Sequence, residues 1–227
     1  EEAHNHNLAA AIAVATNAAP GDEARRIQAI KYLYIIARES ESRDELVRAG
    51  ALAPLLAAAG DKDLWGREGQ LLAIGALGLI AYVTDPVQRA RKMRVVNEGG
   101  IDILISVATD TNMQGTIFQQ QALETIWSIC CSKQTAAAVT NHPSLMGVVP
   151  AALAVLRSPP APPHHRLCAA GLLHALAHFA TVDSEDDLGF GPASESKFSE
   201  SVSSAPKASS AAAARRARLR GAGVFDG

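Results

Sequence analysis

The stretch LAIGALGLIA at residues 72–81 places small and branched apolar residues on one side of a helix. Ala73 is followed by Leu77 four positions later, by Ile80 seven positions later and by Ala81 eight positions later. Positions spaced in this way form one stripe on an α-helix with 3.6 residues per turn. The stretch therefore predicts an amphipathic helix whose alanine-rich stripe packs closely against neighbouring helices.

Three further stretches of the chain align with this one without a gap. The four leading alanines, at positions 29, 73, 122 and 169, are 44, 49 and 47 residues apart. A second apolar pattern opens 21 residues before each of them, at Leu8, Leu52, Ile101 and Val148. A fixed offset in four copies is typical of a repeat protein, in which stacked units bury one continuous core. The aligned stretches are QAIKYLYIIA (28–37), QALETIWSIC (121–130) and CAAGLLHALA (168–177).

Each complete unit also contains a short polar helix and a glycine turn. SRDELVRA (42–49) leads into RAGA (48–51), and PVQRARKMRVV (86–96) leads into NEGG (97–100). Glycine suits a sharp corner between helices because it adopts positive φ without strain. One unit therefore consists of a short helix, a turn, a middle helix, a loop and a long helix. We expect the long helices near residues 23–39, 67–83, 116–132 and 164–180.

This organisation resembles the armadillo repeat. The matching stretches are DELVRAGALAPLLAAAG (44–60) with GQLLAIGALGLIA (69–81), and RVVNEGGIDILISVAT (94–109) with QQALETIWSIC (120–130). The resemblance implies an all-α fold, a right-handed α–α superhelix of about four repeats over residues 1–182. HEAT repeats, with two helices per unit, are the alternative, and the separate short helix favours armadillo. The first unit lacks its short helix, so we expect further repeats upstream, and NHPSLMG (141–147) replaces the glycine turn of the fourth.

Composition limits the remaining possibilities. The chain of 227 residues is 48% hydrophobic but only 4% aromatic, and it lacks the alternating β-branched runs of a sheet. A net charge of -2 gives no field that attracts nucleic acid or membranes. Three cysteines without a pairing framework fit a reducing compartment, so we expect the cytoplasm, with the nucleus as the alternative. Residues 183–227 are rich in serine, alanine and charge, and we predict that this tail is disordered.

The sequence gives little support to catalysis. It contains no P-loop, dinucleotide fingerprint, nucleophile elbow or HExxH motif, so we predict no enzyme and no cofactor. His164, His165, His174 and His178 surround Cys168 and make a zinc site conceivable. The helical pattern, however, places Cys168 and His178 on one face and His174 on another, without a carboxylate among them. Metal binding is therefore the minor alternative, and ordinary packed or surface histidines are expected.

Two smaller features are expected to be structural. Cys130 takes the position of an alanine in the apolar stripe, which predicts a small core residue. The short helix 86–96 carries a basic cluster that predicts a solvated face, with an acidic partner as the alternative. The cluster consists of Arg89, Arg91, Lys92 and Arg94.

In the armadillo family, the long third helices line the concave wall, so the resemblance implies that a partner binds to their open face. Counted from the leading alanine, the open positions are -1, +2, +6 and +9. In the four helices these positions hold Gln28, Lys31, Ile35 and Arg38; Leu72, Gly75, Leu79 and Tyr82; Gln121, Glu124, Ser128 and Cys131; and Cys168, Gly171, Ala175 and His178.

These residues favour an apolar partner. Nuclear-import members of the family grip basic peptides with Trp at +2 and Asn at +6, and no such pair occurs here. The helix around 69–83 is instead apolar on both faces, which commonly marks an interaction surface. We predict a non-catalytic scaffold or adaptor that binds a partner's amphipathic helix around Ile35, Leu72, Leu79 and Tyr82, with Lys31, Arg38, Gln121 and Glu124 nearby. The alternative is a chaperone-like or regulatory armadillo module of a larger protein, as in myosin chaperones.

Overall fold

A computed structural model describes residues 2–17, 21–82, 89–131, 133–143, 145–157 and 161–181. These residues form α-helices and short 3-10 turns, and none of them lies in a β-strand. The predicted all-α fold class is confirmed, whereas the predicted disordered tail (183–227) lies outside the described residues. The helices are α1 (Glu2–Thr16), α2 (Glu23–Arg38), α3 (Arg43–Arg48), α4 (Leu52–Gly60), α5 (Lys62–Ala81), α6 (Arg89–Asn97), α7 (Gly100–Thr109), α8 (Ile117–Cys130), α9 (Lys133–Asn141), α10 (Leu145–Arg157) and α11 (Pro163–Thr181).

The helices follow the order that the repeat predicts. A short, a middle and a long helix occur in sequence as α3, α4 and α5, and the same order recurs as α6 to α8 and as α9 to α11. Helices α1 and α2 supply the middle and long helices of the first copy. The described residues divide into two compact units, one up to residue 104 and the other from residue 105.

The apolar stripe forms the core of α2, α5 and α8. Its four positions are buried in each of these helices, and the first residues of the middle-helix pattern are buried as well. The stripe residues are Ala29, Leu33, Ile36 and Ala37 in α2; Ala73, Leu77, Ile80 and Ala81 in α5; and Ala122, Ile126, Ile129 and Cys130 in α8. Burial of this repeated stripe is the main favourable free-energy term that holds neighbouring helices together.

Helix α11 departs from the predicted stripe. Leu173 and Ala177 were expected in the core but are only half-buried, whereas Cys168 and Ala175, expected on the open face, are buried. The reason lies in α8, where the indole of Trp127 lies against Gly171: a Cβ at that glycine would stand 2.4 Å from Trp127 Cε2. The small-residue side of α11 is thus turned toward α8.

Glycine turns connect the short and middle helices, as the sequence predicts. Gly50 and Gly99 have φ values of 91° and 88°, in the left-handed region. At the end of α3, the amide of Gly50 donates to the carbonyl of Val47, and the amide of Ala51 donates to that of Leu46. This pair of bonds is the Schellman motif, in which glycine at the left-handed position closes the helix.

A buried glutamine links the middle helix to the long helix in two successive copies. Gln70 Nε2 donates to the carbonyl of Ala59 at 2.9 Å, and Gln119 Nε2 donates to the carbonyl of Ala108 at 3.0 Å. Both pairs are 11 residues apart, and both acceptors lie in the last turn of a middle helix, where carbonyls have no helical partner. The repeat therefore reproduces a specific polar contact as well as an apolar pattern.

Helix α5 begins earlier than the sequence indicates. Asp61 caps it by accepting hydrogen bonds from the amides of Asp63 and Leu64, and the helix then breaks at Gly66, where φ is 64° and ψ is 173°. The segment expected to be a loop is therefore a capped helical turn followed by a kink. After the kink, the long helix continues to Ala81.

Candidate functional site

Helices α2 and α5 pack side by side in the first unit and run in the same direction. Near their amino-terminal ends, the guanidinium carbon of Arg26 lies 5.6 Å from the ring centroid of Trp65. At their carboxyl-terminal ends, Arg43 donates to the carbonyl of Ala37 at 2.8 Å and to that of Tyr82 at 3.5 Å. Corresponding positions of the two helices therefore lie next to each other.

Arg43 is the polar clamp of this helix pair. Besides Ala37 and Tyr82, its guanidinium donates to the carbonyl of Arg38 at 3.4 Å. A cation is favourable here because helix carboxyl-terminal ends carry partial negative charge. Burial lowers the pKa of Arg43, the charge of Arg91 lowers it further, and Tyr82 acts in the opposite direction. This clamp fixes the end of the helix pair where Arg38 and Tyr82 lie.

The open face of α2 matches the sequence pattern. Gln28, Lys31, Ile35 and Arg38 are all exposed, and the side chain of Ile35 has a relative exposure of 48%. Lys31 lies one helical turn before Ile35, and Arg38 lies one turn after it, so two cations flank an exposed branched apolar side chain.

The open face of α5 is apolar but only partly exposed. Leu72, Leu79 and Tyr82 are half-buried, although full exposure was expected from the pattern, and Gly75 between them is half-buried too. We name the surface formed by Lys31, Ile35 and Arg38 on α2 with Leu72, Leu79 and Tyr82 on α5 the α2–α5 face. Its α5 side chains are partly covered, whereas Ile35 on α2 is exposed.

Gln121 and Glu124 lie on α8, in the second unit, and both are half-buried. The two later positions expected on the open face of α8, Ser128 and Cys131, are buried. The predicted open face is therefore wrong for the second half of α8, as it is for much of α11. Gln121 and Glu124 therefore do not belong to the α2–α5 face, which lies in the first unit.

The expectation of a solvated basic face on the short helix is wrong for Arg91 and Lys92, whereas Arg94 is exposed as predicted. Arg91 and Lys92 are buried, and Arg91 Nε lies 3.2 Å from a carboxylate oxygen of Asp44. Arg94 pairs with Glu98 at 2.8 Å and donates to the carbonyl of Val47 at 2.9 Å. Burial lowers the pKa of Arg91, and Asp44 raises it. Arg91 and Arg94 therefore tie α6 to α3.

The second unit contains a cluster of which the sequence indicated the histidine and the cysteine but not the carboxylate. Glu124 of α8 lies near His164 and Cys168 of α11, and one potential ligand atom from each residue lies within 4.8 Å of the others. The carboxylate was missed because it comes from the preceding long helix, 40 residues before His164. The spacing of four residues between His164 and Cys168 was the available signal, since such residues share a helix face.

The other histidines and cysteines do not join this cluster. His174 and His178 form a tilted pair with ring centroids 6.2 Å apart, and burial followed by the charge of His174 lowers the pKa of His178. Cys130, Cys131 and Cys168 are all buried and outside any disulfide. Cys130 is fully buried, as its place in the apolar stripe predicts. Among the described residues, no helix combines the length and the apolar character required to cross a bilayer.

Comparisons with known proteins support the fold. Two crystal structures of engineered proteins from the Northeast Structural Genomics Consortium are similar, each at 22% sequence identity, with TM-scores of 0.57 and 0.59. They cover 75% and 77% of this chain, which spans 62% and 38% of their own lengths. A designed armadillo repeat protein is similar at 17% identity and a TM-score of 0.50, covering 75% of this chain and 82% of that one.

No family model matches the sequence, and no curated protein matches it. At these identities the structural likeness concerns the fold. The likeness to a designed armadillo protein agrees with the separate short helices α3, α6 and α9, which a two-helix HEAT unit lacks. The chain has an armadillo-type repeat fold.

Proposed function

We propose that this protein is a non-catalytic interaction module that binds an amphipathic helix of a partner protein on the α2–α5 face. One observation carries the proposal: Ile35 is 48% exposed between Lys31 and Arg38, beside a neighbouring helix whose outer positions are Leu72, Leu79 and Tyr82. A contiguous apolar surface with a polar rim is typical of protein interaction sites.

The pairing of two helices that run side by side favours a helix as the bound element. Packed helices lie about 8–10 Å apart, so one further helix can rest against α2 and α5 together. A helix in a groove contributes apolar anchors at positions i, i+3, i+4 and i+7. Ile35 and Leu79 occupy the same position in their two helices and would contact successive anchors.

The charges of the face favour acidic residues in the partner helix. Lys31 and Arg38 are exposed on either side of Ile35, and the α5 positions of the face carry no charge. Acidic residues beside the apolar stripe of the partner helix would therefore be favoured. Rim charges of this kind act mainly on the association rate and its salt dependence. The proposed partner helix is thus amphipathic and acidic at its margins.

Selection from a displayed library of helical peptides tests the proposal, because such a library samples many candidate partner helices at once. The full chain is the bait, and bound peptides are sequenced and then measured against variants. We expect selected peptides to carry an apolar stripe with acidic flanks. Leu79→Asp should weaken their binding by at least tenfold, because the bound helix would bury a carboxylate at this position among apolar side chains.

Leu64→Asp is the matched control, since Leu64 also lies on α5, is 42% exposed, and stands before the kink at Gly66, outside the face. It should leave peptide affinity unchanged. Circular dichroism should show the same helicity for both variants. Equal affinity of Leu79→Asp and wild type, or equal loss in both variants, would remove the α2–α5 face as the binding site.

A further inference from the structure

The cluster in the second unit brings together three different ligand types. His164 and Cys168 lie one helical turn apart on α11, with 3.7 Å between His164 Nε2 and Cys168 Sγ. Glu124 reaches them from α8, with its Oε2 atom 3.6 Å from the same histidine nitrogen. Nitrogen, thiolate sulfur and carboxylate oxygen are the ligands that zinc takes in proteins.

The separations are compatible with a shared ion. The nitrogen–oxygen distance of 3.6 Å exceeds the usual hydrogen-bond range of about 2.7–3.2 Å, whereas the nitrogen–sulfur distance of 3.7 Å is within reach of a weak hydrogen bond to sulfur. Zinc bonds of about 2.0–2.3 Å at tetrahedral angles place two ligand atoms roughly 3.4–3.6 Å apart. The two separations measured from His164 Nε2 are close to that range, and the three ligand atoms all lie within 4.8 Å of one another.

We propose that Glu124, His164 and Cys168 bind a zinc ion, with water as the fourth ligand. Their burial is graded in a way that suits this role. Cys168 is fully buried, whereas the side chains of His164 and Glu124 are 51% and 31% exposed. The thiol anchors the ion beneath the helix pair, and the two other ligands leave an entry path and a position that water reaches.

Charge supports the same assignment. A thiolate at Cys168 and the nearby Glu124 carboxylate would repel each other, and a divalent cation between them removes this repulsion. His164 binds a metal as the neutral imidazole and adds no charge. The resulting site is electrically neutral. A thiolate also favours zinc over magnesium and calcium, which take oxygen ligands.

The experiment uses the full, metal-free chain under reducing conditions, with cobalt(II) and then zinc as the probes. Cobalt should bind at one ion per chain and show both the visible bands of tetrahedral cobalt and a thiolate-to-cobalt charge-transfer band. Zinc should displace it. Cys168→Ala should abolish the charge-transfer band, and Glu124→Gln and His164→Ala should each weaken zinc binding by at least about tenfold.

Cys131→Ala and His174→Ala are the matched controls for a buried thiol and an exposed histidine outside the cluster, and both should bind cobalt as the wild type does. Circular dichroism confirms helicity, and Glu124→Gln, a near-isosteric change at a half-buried site, keeps the test decisive if Cys168→Ala unfolds. A charge-transfer band that survives in Cys168→Ala, binding lost in His174→Ala, or no cobalt bound at one equivalent would overturn the proposal.

Discussion

Replacing Gln70 and Gln119 by methionine, one at a time, tests whether the hydrogen bonds of these two buried glutamines contribute different amounts to the free energy of unfolding. Gln119 makes two hydrogen bonds: it donates to the carbonyl of Ala108 at 3.0 Å and accepts from the amide of Gly115 at 2.9 Å. Gln70 donates to the carbonyl of Ala59 at 2.9 Å, and its own Oε1 atom is buried without a partner among the described residues. Methionine preserves the length of the side chain and its helix propensity but makes none of these hydrogen bonds.

The magnitudes follow from the groups left behind. A buried polar group that loses its partner costs about 1–3 kcal/mol. Gln119→Met leaves the buried carbonyl of Ala108 without its partner and also removes the bond to the amide of Gly115, an exposed residue, so the free energy of unfolding should fall by about 2–4 kcal/mol. Gln70→Met strands one carbonyl but also removes an unsatisfied oxygen, so the net loss should be about 1 kcal/mol.

Urea unfolding followed by far-ultraviolet circular dichroism gives the free energies of unfolding of both variants. Gln70→Leu and Gln119→Leu serve as a second pair, because leucine removes the same bonds with a different shape. The reasoning would be refuted if Gln70→Met destabilised the protein as much as Gln119→Met or more.

Three further changes test other contacts. Gly171→Ala should lower the free energy of unfolding by about 1–3 kcal/mol, because its Cβ would stand 2.4 Å from Trp127 Cε2, and Trp127→Leu in the same chain should relieve most of the added loss. Gly100→Ala should lower the free energy of unfolding by a similar amount, measured in urea, because its Cβ would stand 2.6 Å from the backbone carbonyl oxygen of Val95. A variant more stable than the wild type would contradict the close packing at the start of α7. In the metal-free protein, burial raises the pKa of the Cys168 thiol from 9.0 to about 12. The protonated thiol therefore stabilises the fold fully below pH 9.0, and this contribution is lost as the pH rises toward about 12. The urea midpoint of the wild type should fall more steeply with alkaline pH than that of Cys168→Ala.

The sequence predicted the features that depend on local helix geometry. The stripe positions of α2, α5 and α8 are buried, and Gly50 and Gly99 have the positive φ that their turns require. These features could be predicted because the spacing of residues within a single helix determines which of them share a face. The exposed positions of α2 followed in the same way.

Features that depend on contacts between segments were not predictable from spacing. The turned face of α11 arises because Trp127 of α8 requires room at Gly171. The burial of Arg91 arises because Asp44 lies beside it on another helix. The Glu124 carboxylate reaches His164 only through the pairing of α8 with α11. In each case the partner is more than 30 residues away, where periodicity carries no information.

Photocrosslinking from the α2–α5 face tests partner binding most directly. A photoreactive phenylalanine analogue is placed at position 79 in one sample and at position 64 in another, both on α5. Each chain is then irradiated with the helical peptide selected by display. We predict efficient crosslinking from position 79, with the adduct mapped to the apolar stripe of the peptide, and little from position 64. Equal yields from the two positions, or a yield from position 64 alone, would contradict binding at this face.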